Sequence, residues 1–379
     1  MLKETIARHA SNVIGWRTKR KILVIESDDW GSVRSKSKSA VDEMERFGLP
    51  VRKRHFDALD SLESNEDLEM LFDLLNGIKD STNRSAVFTP MCIMGNPDFE
   101  AIALSDYQEY IFQPLAKTLG EYPDHDRVLK LWKEGMESRI FWPELHGREH
   151  VNVARYMKIL QSHPGKEGLR FALAEKSLGV NSFKSHSYPN YLGALHPTTA
   201  YEIVDLHGYL KEAGDLFETY LGYSPQVFVA PNAEEPKELE STLSELGIKY
   251  INRAKKRTYP LGDGVFKTEW NFVGKINKYN QIILNRNCFF EPVALGGERH
   301  KKNWVDSCLK EIEIAFQWNK PAVISSHRVN YVGFIESSSR DKGLMSLKEL
   351  LNRALKKWPD IEFMTSAELG DTIRKSKEI

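Results

Sequence analysis

Eight short apolar runs recur along the 379-residue chain, at 21–25, 86–89, 139–142, 226–230, 248–252, 281–285, 322–326 and 361–364. Between them lie stretches with the spacing of amphipathic helices, at 64–79, 98–119, 151–161, 198–221, 236–246, 304–318 and 346–358. Strands that alternate with helices pair in parallel, because each helix returns the chain to the same end of the sheet. About eight such units predict an α/β fold, a TIM-like (β/α) barrel of seven or eight strands with some distortion. An open doubly wound sheet is the second choice. Residues 1–379 are read as one barrel domain. Two segments break the alternation. Residues 162–197, with Gly, Pro, Ser and Tyr, read as an insertion or cap, and 259–280 as an irregular excursion or hairpin over one face.

Composition removes several classes of function. Lys+Arg and Asp+Glu both total 53, so no net charge favours nucleic acid or an anionic membrane as partner. No run of apolar residues is long enough to span a bilayer, and the N-terminus lacks the apolar core of a signal peptide. A cytoplasmic location is therefore expected. The three cysteines, Cys92, Cys288 and Cys308, are scattered and form no C-x-x-C pair, which argues against disulfides or a cysteine zinc site. Neither a G-x-G-x-x-G turn after the first strand nor a phosphate loop is present.

Three of the apolar runs lead into residues that carry chemistry. Ile22-Leu23-Val24-Ile25 runs directly into Glu26, Asp28 and Asp29, followed by Trp30 and Gly31. Carboxylates at the rim of a core are costly unless a cation or metal offsets them, and the carboxyl ends of parallel strands are where barrel sites form. Capping or a turn is the plainer use of such a pair. The 139–142 run is followed by His146 and His150, which share a face if the segment is helical. Two histidines and a carboxylate are a common ligand set for a divalent metal, although a lone H-x-x-x-H more often flanks a helix. The 322–326 run ends at His327, a candidate general acid, with a satisfied core histidine as the alternative. A carboxylate base, a ligand trio and an acid at strand ends are the parts of metal-assisted hydrolysis.

These residues, in this order, resemble the Asp-Asp, H-x-x-x-H and L-x-x-H motifs of the polysaccharide deacetylases, the NodB-homology or carbohydrate esterase family four enzymes. The motifs span roughly three hundred residues, and the closing segment 361–369 resembles the family's last strand and helix. The resemblance implies Asp28 as general base, Asp29, His146 and His150 as metal ligands, and His327 as general acid. It also implies one divalent ion, zinc first, with cobalt, nickel or manganese as alternatives. The implied reaction is removal of an N-acetyl or O-acetyl group from a carbohydrate. The chain departs from the pattern in two places. Glu26 and Ser27 stand where the family has Thr-Phe, and Val229 stands where its Arg-x-Pro motif, here ending in Pro231-Asn232, has the arginine that positions the base. Arg148, Arg286 and Arg328 are the candidates for that role.

Trp30, Pro231, Asn232, Arg286 and Asn287 are the expected substrate contacts, with core or rim packing the stronger reading for Trp30, Trp142 and Trp270. His186 and His196 are read as surface residues. A carbohydrate with an acetylated amino sugar is the expected partner, and an oligomer is compatible with the sequence. Two other functions fit fewer features. One is a glycoside hydrolase using paired carboxylates from Glu26, Asp28, Glu144 and Glu291, roughly 5–10 Å apart with no metal between them. The other is a non-catalytic carbohydrate-binding relative.

Overall fold

The computed structural model describes residues 8–180, 190–294 and 302–377. In chain order the strands are β1 (Lys21–Trp30), β2 (Phe88–Ile93), β3 (Gly95–Pro97), β4 (Phe112–Pro114), β5 (Glu144–Gly147), β6 (Val227–Val229) and β7 (Tyr250–Asn252). They continue as β8 (Lys256–Gly262), β9 (Val265–Trp270), β10 (Ile282–Leu284), β11 (Cys288–Phe289), β12 (Ala322–His327) and β13 (Ile361–Phe363). Nine strands make one sheet, ordered β10-β7-β6-β5-β2-β1-β12-β11, with β13 beside the first residues of β1. Every pairing in that sheet is parallel.

The sheet curls because its connectivity requires it. β10 and β11 stand at opposite ends of the order, yet only residues 285–287 separate them. Four residue steps reach at most about 14 Å, so the two edges must come together. Side-chain amides of the link fasten it to each edge: Asn285 Nδ2 donates to the Arg253 carbonyl at 2.7 Å, and Asn287 Oδ1 accepts from Val323 N–H at 2.8 Å. The open doubly wound alternative is thereby excluded.

Alternation along β1 sorts its residues between two cores. Leu23 and Ile25 pack outward with the helices, whereas Ile22 and Val24 face inward with Met91, Val227, Val229, Ile282, Leu284 and Val323. Ala367, Leu369 and Ile373 of the helix Ser366–Ser376 complete that inner cluster. Glu26 and Asp28 continue the inward series.

Two expectations change. The strand expected at 139–142 begins later, at Glu144; Phe141 makes only an isolated bridge to Phe88. Pro143, which has no N–H to donate, separates the two stretches. The helix expected at 98–119 is interrupted by the hairpin of β3 and β4, with Asp106 and Tyr107 at positive φ. The segment 162–197 contains the helix Lys166–Ala174, and part of it, including His186, lies outside the described residues. The 259–280 excursion is largely the β8–β9 hairpin.

Candidate functional site

The inner face of β1 delivers Asp28 to the barrel mouth, and the register places it directly beside His327 of β12. Strict alternation would send Asp29 to the opposite face. Instead Asp29 adopts φ 77°, in the left-handed region that Asp tolerates better than most residues, and the pairing with β2 shifts register between Ser27 and Trp30. The irregularity brings both carboxylates to one mouth and turns Trp30 into the outer core. Trp30 is fully buried there, its ring edge-on to Phe141 at 5.1 Å and its Nε1–H donating to Ser27 Oγ. The expectation that Trp30 meets substrate is therefore corrected.

The two histidines do not share a helix. His146 lies within β5, and His150 lies in the loop before the helix Val153–Ser162, which Asn152 caps by accepting from Arg155 N–H. Gly147, at φ 144°, turns the chain between them. The helical stripe is Tyr156, Met157, Ile159 and Leu160, and Ala154 is exposed. Even so, the rings converge, with centroids 5.4 Å apart. Asp29 Oδ1 lies 3.2 Å from His150 Nε2 and 3.5 Å from His146 Nε2. The three donor atoms all fall within 4.8 Å of one another.

That set fits a divalent cation. His146 Nδ1–H donates to the Val229 carbonyl at 2.7 Å, which fixes the tautomer and leaves the Nε2 lone pair directed at Asp29. His150 Nδ1 has no hydrogen-bond partner among the described residues. Burial raises the Asp29 carboxyl, but His150 and His146 outweigh it and hold the group well below the usual carboxylate range. An anionic oxygen and two imidazole nitrogens, with open positions beyond them, match the donor set of a catalytic zinc site.

Of the three candidate arginines, Arg286 is the one that contacts Asp28. Leaving β10 at the seam, its Nη1 and Nη2 donate to the two oxygens of Asp28 at 2.5 Å each, and its Nε donates to Glu26 at 2.5 Å. Burial raises the Asp28 carboxyl, yet the facing guanidinium prevails and keeps it below its usual range. Arg148 and Arg328 serve elsewhere. Arg148 is stacked between Phe112 and Tyr209, and Arg328, fully buried, binds Asp60 and Glu63.

His327 Nε2 lies 3.9 Å from Asp28, and its Nδ1–H donates to Glu291 at 2.6 Å. Desolvation disfavours the charged ring, but the Glu291 carboxylate, helped by Asp29 and Asp28, lifts its pKa to about 10. Phe56 packs edge-on against the ring at 5.0 Å.

These groups line one cavity of about 380 Å³ with Arg286, Asn232, Val229 and Ala230. Leu178 and Leu192, on either side of the undescribed part of 162–197, form another wall. Pro231 is buried and does not line the cavity. Asn287 does not line it either, because its amide is committed to Pro321, Val323 and Asn12 at the seam. Trp142 and Trp270 are also absent from the lining, and His196 pairs with Glu234. Glu26 and Glu144 are fully buried and do not line it, while Glu291 lines an adjoining hollow beside His327 and is bonded to that ring.

Sequence reading missed Arg34, Arg54, Phe56 and Asp60, which line the cavity from the segment between β1 and β2. Asp60 stands close enough to Asp29 to feel its charge, and burial against the pull of Arg328 raises its pKa to about 6. No strand end or spaced motif marks these residues, so nothing in the sequence signals them.

The sequence matches no family model, and no curated protein matches it. Among solved structures it is similar to a putative polysaccharide deacetylase from Mycobacterium smegmatis, at 11% identity over 96% of this chain and 94% of that one, TM-score 0.43. It is also similar to the Puue allantoinase, at 9% identity over 96% and 94%, TM-score 0.42. A third is the α-amylase AmyC from Thermotoga maritima, at 9% identity over 94% of this chain and 75% of that one, TM-score 0.42. At identities and TM-scores this low they assign the chain neither a family nor a chemistry.

Proposed function

We propose that the protein is a metal-dependent hydrolase that removes an acetyl group, from nitrogen first and from oxygen as the variant, from a carbohydrate. One observation carries the reading: the Asp29, His146 and His150 donors converge beside Asp28 and His327 in a single cavity. The motif resemblance to polysaccharide deacetylases points the same way. The residues suit a divalent ion, zinc first, with cobalt, nickel and manganese as alternatives. Such an ion supplies Lewis acidity, polarising the acyl carbonyl and lowering the pKa of water.

The protein's own groups do the rest. Asp28, kept ionised by Arg286, accepts the proton of the water that adds to the acyl carbon. His327, kept protonated by Glu291, delivers a proton to the departing amine nitrogen as the carbon–nitrogen bond breaks. The products are acetate and the ammonium form of the amine, and the proton left on Asp28 replaces the one given up by His327, so atoms and charge balance. The register pairing of Asp28 with His327 supports the reading, because a base and an acid acting at one acyl group need to stand side by side. A non-catalytic role gains nothing from the missing arginine, since Arg286 supplies its guanidinium to Asp28.

The test is acetate release from N-acetylated sugar oligomers by protein loaded with Zn²⁺, Co²⁺ or Ni²⁺. Release dependent on the added ion is expected; no release with any of the three would remove the proposal.

The His327–Glu291 pair also predicts a pH dependence. The ordinary imidazole value is 6.5, and here it is raised to about 10. The acid form, and the pair's contribution to stability, are complete below the ordinary value and lost as pH rises through the raised one. Replacing Glu291 by Gln should move the alkaline limb of the rate profile down by roughly 1–3 pH units. An unmoved limb would show that another group sets it.

A further inference from the structure

We propose that Glu26 is a positioning residue for the reaction, acting from beneath the cavity lining by holding Arg286 in the orientation that presents both Nη groups to Asp28. The inference rests on the function proposed above and adds a residue that the reading does not use.

Glu26 is fully buried on the inner face of β1, two residues before Asp28. Four contacts from three elements converge on its carboxylate. Asn252 Nδ2 at the end of β7 lies 2.8 and 3.0 Å from its two oxygens, Ser366 Oγ donates at 2.6 Å, and Arg286 Nε donates at 2.5 Å. A guanidinium is a rigid plane with its donors in a fixed fork. Glu26 takes the Nε edge and Asp28 takes the Nη end, so the plane has no freedom left to rotate.

The charge balance also favours a positioning role. Two carboxylates face one guanidinium, so the trio carries one net negative charge in a buried place. A residue needed only to fill space beneath the cavity, or to tie β1 to the helix Ser366–Ser376, would do so more cheaply as a neutral amide or hydroxyl. What a carboxylate adds is a charge-assisted bond to the Nε–H of Arg286.

The test compares Glu26→Gln, Glu26→Asp and Ser366→Ala with the parent protein, all loaded with Zn²⁺. Two readouts are taken: steady-state rates on tri-N-acetylchitotriose, and the Arg286 Nε–H resonance, assigned by its loss in Arg286→Lys. Glu26→Gln should lower kcat about 10²-fold while KM stays within about threefold, because a misaimed base damages the chemical step rather than binding. The resonance should move, bound zinc should be unchanged, and Glu26→Asp should recover part of kcat. Ser366→Ala cuts the tie to the helix without touching Arg286, and should leave kcat within about threefold of the parent. Parental kcat in Glu26→Gln, an unmoved resonance, or equal damage from Ser366→Ala would each overturn the proposal. If Glu26→Gln fails to fold, Glu26→Asp against Ser366→Ala makes the same comparison. If the parent releases no acetate, the hydrolase reading fails, and the resonance alone decides the role of Glu26.

Discussion

Replacing Asp28 by Asn should lower kcat by about 10²–10⁴-fold, the range a general base contributes. At 1.36 kcal/mol per tenfold, that is about 3–5 kcal/mol of lost transition-state stabilisation. The substitution keeps shape and one acceptor oxygen for Arg286 but removes the group proposed to take the proton. Because the proposed ion's donors are Asp29, His146 and His150 and not Asp28, the variant should bind metal as the parent does. Steady-state rates on an N-acetylated oligosaccharide, read beside metal content, check both halves. A variant with parental kcat would show that Asp28 is not the base. A variant that loses metal would show that the two acidic neighbours have not divided their roles.

The fold and the site were only partly legible in the sequence. The apolar runs located most of the barrel strands because buried parallel strands are hydrophobic on both faces. The run at 139–142 misled because Ile140 and Phe141 are buried just before the strand rather than in it. The seam is implied by the short link between β10 and β11, but it becomes visible only once strand order is known. At the site, Asp28, Asp29, His146, His150 and His327 stand out because polar residues at the ends of apolar runs are conspicuous. The geometry that unites them is not. Spacing suggested a helix for His146 and His150, whereas a strand end, Gly147 and a loop achieve the same convergence.

Two residues that look unrelated in sequence, Glu26 and Arg286, meet in space: Arg286, just after β10, donates to both oxygens of Asp28, and Glu26 accepts from its Nε–H. A strand-by-strand reading does not reveal a contact of this kind, because it depends on which strands face one another across the barrel. The cavity wall formed by Arg34, Arg54, Phe56 and Asp60 lies in an irregular segment, where tertiary contacts rather than periodicity fix each position.

The second large effect is on the metal itself. Replacing His146 by Ala deletes one of three donors and leaves the Val229 carbonyl without its Nδ1–H partner. Two donors and solvent hold a divalent ion far more weakly than three. The variant should also lose the metal-dependent rise in thermal stability, which amounts to about 2.7 kcal/mol when free metal is a hundred times its Kd. Acetate release should fall with metal content and recover only at high added zinc.

The decisive measurement is therefore the metal content of the native protein and of His146→Ala, determined after the same exposure to zinc and the same dialysis. The site as described predicts about one equivalent per chain in the native protein and less than about a tenth of that in the variant. No metal in the native protein, or equal metal in both, would contradict a centre built on Asp29, His146 and His150.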